Sequence, residues 1–129
     1  MSAPNASQAQ APDPNHPITI EPETARVRVT FNGETIADTT RALMLREMSH
    51  KPVLYIPRED AKTGAFERTA HTTTCPYKGE ASYYTIRVGD RTAENAIWSY
   101  ETPYPAMVAI KDHLAFYPDR VDAITVESD

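Results

Sequence analysis

The stretch that most constrains this chain is RVRVTFNGETIAD, residues 26–38. Val27, Val29 and Phe31 alternate with Arg26, Arg28 and Thr30, as required of a strand with one buried face. Asn32-Gly33 then supplies the pair of residues that tolerates positive φ in a two-residue hairpin turn. The return strand over 34–38 is anchored by Ile36. A chain with such a hairpin near its beginning is committed to antiparallel pairing there.

The remaining pattern extends that commitment. ALMLREM (42–48) reads as a strand, and Pro52 and Pro57 bracket a short strand over 53–56. Residues 58–61 make one helical turn, 62–64 a loop and 66–70 another strand. From Gly79, EASYYTIRV sets Tyr84, Ile86 and Val88 on one face against Ala81, Tyr83 and Thr85 on the other, so both faces are expected to be covered. Gly89-Asp90-Arg91 turns the chain, and residues 95–101 (NAIWSYE) return as its antiparallel partner, carrying an aromatic centre. Pro103 and Pro105 precede helical spacing, which predicts one helix over 105–111. HLAFY and VDAITV end the chain as strands around Pro118-Asp119. The predicted fold class is mainly β, a small single domain of antiparallel sheets with one short helix.

At 129 residues there is room for one core rather than two. Residues 1–17 are small, polar and Pro-rich, so they are expected to form a flexible tail ahead of a single domain over 18–129. The net charge of −5 disfavours binding to a nucleic-acid backbone, which needs clustered cations. No apolar run is long enough to span a membrane as a helix. One cysteine cannot form an internal disulfide, and the first residues lack the charged and apolar regions of a signal peptide, so the expected location is cytoplasmic.

Chemistry concentrates in HTTTCPYKGEASYY, residues 71–84. Cys75 is a candidate nucleophile with His71 as its base, because a thiolate is activated by a nearby histidine or lysine. If residues 71–75 are extended, however, the two side chains lie roughly 13 Å apart at about 3.3 Å per residue. The pair therefore demands a curl at 72–74 or a different histidine, such as His113 or His50. Structural zinc needs four ligands, usually cysteine-rich; one Cys and no paired spacing give no expected metal and no expected cofactor. Lys78 and Glu80, two apart, present a cation and an anion on one strand face, with Tyr77 or Trp98 as an apolar wall. Arg58, at a strand end, is a further ligand-binding candidate. The expected partner is a small-molecule ligand, and the oligomeric state is left open.

Five segments, IADTTRALMLRE, VLYIPREDA, HTTTCPYKGEASYY, NAIWSYETPYP and DHLAFYPDRVD, together resemble the small bacterial family called domain of unknown function 427, over roughly residues 24–127. CPYKGEASYY is the most specific of these signatures. The resemblance implies a fold similar to the β-tent group, in which antiparallel sheets lean together over a groove. Some members of that group hold zinc through two cysteine pairs, which this chain lacks. The family also carries a nucleotidyltransferase label. The usual nucleotidyltransferase pattern sets a Gly-Ser ahead of two carboxylates, and this sequence has no Gly-Ser. The expected function is binding of a polar small molecule around the His-Cys-Lys-Glu segment. The alternatives are an enzyme with Cys75 as nucleophile, or a transferase acting on nucleotides.

Overall fold

The computed structural model describes residues 16–48 and 50–127. The Asn32-Gly33 turn forms as its sequence requires, with φ of 51° and 78°, and joins β2 (Arg26–Phe31) to β3 (Glu34–Thr39). Val27, Val29 and Phe31 are fully buried while Arg26 faces outward. At the other edge of β2 lies β10 (Ala123–Glu127), which completes a three-stranded antiparallel sheet in the order β10-β2-β3.

A second sheet has the order β1-β4-β5, built from β1 (Ile18–Glu23), β4 (Ala42–Glu47) and β5 (Val53–Tyr55). Strand β1 contains Pro22, opposite Leu43. Proline removes a ladder donor and is tolerated because β1 is an edge strand. The third sheet, β6-β7-β8-β9, comprises β6 (Phe66–Cys75), β7 (Gly79–Val88), β8 (Arg91–Ser99) and β9 (Ala115–Phe116). All pairings in the three sheets are antiparallel, so the expected mainly β class holds.

Three details differ from the sequence expectations. Strand β6 continues through HTTTC to Cys75 rather than ending near residue 70. Strand β8 begins at Arg91, four residues early, because the polar run Arg91–Asn95 lies along β7 where its side chains can reach water. The segment Pro105–Ile110 is a 3-10 helix interrupted at Met107, not a regular α-helix. With prolines at 103 and 105, it anchors only Met107 and Ile110 in the core.

The central strand β7 is covered on both faces. Tyr84 and Ile86 join one apolar cluster with Val27, Val29, Phe31 and Ile97. Ala81 and Tyr83 join a second, with Leu45, Tyr55, Tyr100 and Ile110. Burial of each large aliphatic side chain in these clusters contributes about 1.5–3 kcal/mol.

Of the expected tail over 1–17, residues up to Asn15 lie outside the described residues. The last two are joined to the domain: Pro17 accepts a hydrogen bond from the Met48 amide at 3.1 Å, and His16 contacts β4.

Candidate functional site

Gly79 initiates the site. Its φ of +120° lies where side-chain-bearing residues are strained. A Cβ there would meet Pro103 Cα at 3.3 Å. The close approach lets Tyr104 donate its amide to the Lys78 carbonyl at 3.0 Å, which fixes the turn between β6 and β7. From that turn the Lys78 side chain runs inward and is 7% exposed.

Lys78 Nζ donates to Glu47 Oε1 at 2.6 Å, and His16 Nε2 meets Glu47 Oε2 at 2.6 Å. His16 is in turn stacked on Tyr77, with centroids 3.8 Å apart and planes at 5°. Burial acts to raise the Glu47 carboxyl, but hydrogen bonds from Lys78 and then His16 outweigh it and hold it below the usual carboxylate range.

Behind this triad is a cavity of about 230 Å³ between the β1-β4-β5 and β6-β7-β8-β9 sheets. Lys78 and Glu47 form its polar end, and Tyr55, Tyr83, Trp98, Tyr100 and Tyr117 form most of the rest. Trp98 Nε1 donates to the Tyr55 hydroxyl at 3.2 Å, and the indole lies 4.5 Å from the Tyr117 ring. Burial pushes the Tyr55 and Tyr100 hydroxyls well above the ordinary tyrosine value and Tyr117 up to about 12. These phenols are therefore neutral donors at physiological pH. Among the described residues the Tyr100 hydroxyl has no hydrogen-bond partner and Glu47 is the one partner of the Lys78 ammonium, which carries three donors.

The sequence-predicted residues divide. Lys78 and Trp98 line the cavity, and Tyr77 stacks on His16. Glu80 is exposed on β7 and is not the partner of Lys78. Lys78 precedes the strand, so the two-residue spacing does not put both on one strand face. His71 and Cys75 do not pair. Residues 72–75 are extended, with Thr72 opposite Ser82 and Cys75 opposite Gly79, so the curl demanded of a Cys-His pair is absent. His71 is exposed against the Tyr83 ring, and Cys75 packs half-buried against the second cluster.

Arg58 is a clamp away from the cavity. It donates to the Asp112 carbonyl, the Tyr84 hydroxyl and Ser99 Oγ at 3.1, 3.1 and 3.2 Å. Ser99, fully buried, donates its own hydroxyl hydrogen bond to the His113 carbonyl at 2.7 Å. Glu101 accepts from Tyr84 and from Arg68. Among the described residues no three His, Cys, Asp or Glu side chains are grouped to hold a metal ion.

Sequence reasoning missed Glu47, His16, Tyr55, Tyr100 and Tyr117. The residues come from distant parts of the chain: Glu47 lies 31 residues from both Lys78 and His16.

The family model described as Domain of unknown function (DUF427) matches residues 19–127. The chain belongs to this family. The model's name also carries a nucleotidyltransferase label. No curated protein matches the chain. In this DUF427 domain the glycines with positive φ are Gly33 and Gly89, in turns between antiparallel strands, and Gly79, the first residue of β7. None opens a helix as phosphate-cradling glycines do.

Proposed function

We propose that this DUF427 domain binds a small molecule through a hydrogen-bond acceptor seated at Lys78. One observation carries the reading: a deeply buried ammonium faces an aromatic cavity with two of its donors unused by the described residues. An ammonium withdrawn from water is costly unless its donors are met. At about 30 Å³ per molecule, several waters fit the cavity, and a ligand oxygen can replace them. The aromatic walls supply apolar contact, and the Tyr100 hydroxyl supplies a further donor.

A thermal-shift screen over nucleotides, sugar phosphates, carboxylic acids and small amides tests this. Stabilisation by at least one class, abolished in Lys78→Met and retained in Arg58→Lys, is the expected result. Stabilisation unchanged by Lys78→Met removes Lys78 from the site.

A further inference from the structure

A second cavity, of about 330 Å³, lies where strands of all three sheets meet: β2 and β10, β4 and β5, and β8 and β9 all contribute to its lining. It is separate from the Lys78 cavity. Met44 and Leu54, directly opposite each other in the β4-β5 register, line it, whereas their neighbours Leu45 and Tyr55 line the Lys78 side. Adjacent residues of a strand point to opposite faces, so the β4-β5 pair stands between the two spaces.

The lining is graded from floor to mouth. Val29, Ile56 and Phe116 are buried and form the floor. Met44, Leu54 and Ile124 are half-buried walls, and Pro52, Pro118 and Val126 are exposed at the mouth. No ionisable side chain lines the space. Trp98 borders it, but its Nε1 is committed to the Tyr55 hydroxyl, so the indole offers the cavity carbon rather than a donor. Water here finds few of the two to four polar partners that hold a buried water in place, and an apolar molecule displaces it favourably.

We infer that this cavity is a second binding site, for a neutral, apolar small molecule of about ten carbon atoms. Size sets the class: an apolar cavity of about 150 Å³ accommodates benzene, so this one takes roughly two such rings. A protein partner does not suit the mouth, because three exposed apolar side chains fall far short of the roughly 20 residues a side in a stable protein interface. A charged group is disfavoured because no lining side chain pairs with it and its desolvation goes uncompensated. The site does not depend on what binds at Lys78, since the β4-β5 pair separates the two.

Trp98 borders both cavities, so its fluorescence alone does not assign the site. The test is amide chemical-shift titration of the isotopically labelled whole protein with naphthalene, benzene and 1-naphthoate. Naphthalene is expected to give saturable shifts at Val29, Met44, Phe116 and Ile124. Benzene is expected to bind there at least about tenfold more weakly, and 1-naphthoate at least about tenfold more weakly as well. Met44→Trp, which fills part of the cavity, is expected to weaken naphthalene binding at least about tenfold. Val126→Arg, which sets a guanidinium at the mouth, is the second variant if Met44→Trp fails to fold. Naphthalene binding unchanged in a folded variant, 1-naphthoate binding these amides as tightly as naphthalene, or no saturable shift at them overturns the site. Naphthalene shifts confined to the neighbourhood of Lys78 and Tyr100 also overturn it, while leaving the Lys78 cavity as a binding site.

Discussion

Lys78 Nζ lies 2.6 Å from Glu47 Oε1, joining the turn before β7 to the end of β4 across the gap between two sheets. Both side chains are about nine-tenths buried. Breaking such a pair from one side leaves a buried charge with too few partners. Lys78→Met is therefore expected to lower stability by about 2–4 kcal/mol, measured by urea unfolding. The double variant Lys78→Met with Glu47→Leu removes both charges and is expected to recover at least half of that loss. A double variant less stable than either single one contradicts the pairing.

Acid should weaken the same junction. Glu47 and Glu101 both titrate below their ordinary value of 4.5, because hydrogen bonds outweigh burial. A carboxyl lowered by folding contributes stability that is complete above its unfolded value and is lost as pH falls through the folded value. The melting temperature is expected to hold above about pH 5 and fall below it. Glu47→Gln should flatten part of that fall; an identical acid limb in the variant excludes Glu47 as a contributor.

Gly79 couples backbone conformation to the site. Gly79→Ala imposes a side chain at φ +120°, against Pro103 Cα at 3.3 Å, and is expected to cost about 1–3 kcal/mol. Because Lys78 is the preceding residue, the variant should also weaken binding of any ligand seated at the ammonium. Gly64→Ala, with nothing within 4 Å of its added Cβ, is the matched control and should be close to neutral in both respects.

The thiol should behave independently of the neighbouring histidine. Strand β6 holds His71 and Cys75 apart in extended conformation, so His71→Ala is expected to change the rate of Cys75 alkylation by iodoacetamide less than about twofold. A large slowing would restore the Cys-His pair that the extended strand disfavours.

The local β pattern was legible in the sequence because its causes are local. Asn32-Gly33 needs only its own φ preferences to turn the chain, and the Ala81 to Val88 alternation already shows that both faces of β7 are covered. Elements set by tertiary partners were less visible. Arg91–Asn95 has no apolar periodicity and becomes strand because β7 offers it a ladder. HTTTC reads as a polar approach to Pro76, yet its last four residues, Thr72 to Cys75, pair residue by residue with Gly79–Ser82. The site was half legible. Lys78 and Trp98 stood out by residue type, but the nearest carboxylate in sequence, Glu80, points to solvent, and the true partner arrives from β4. Tyr55, Tyr100 and Tyr117 each look like core residues in isolation. Only the leaning of one sheet on another turns them into a common wall.

The most direct measurement is amide chemical-shift mapping of the isotopically labelled protein during titration with the ligand classes active in a thermal screen. Perturbations centred on Val53, Lys78, Trp98 and Tyr100, saturating together and absent in Lys78→Met, are predicted. Saturable perturbations confined to other surfaces, or none with any ligand class, would contradict a binding site at Lys78.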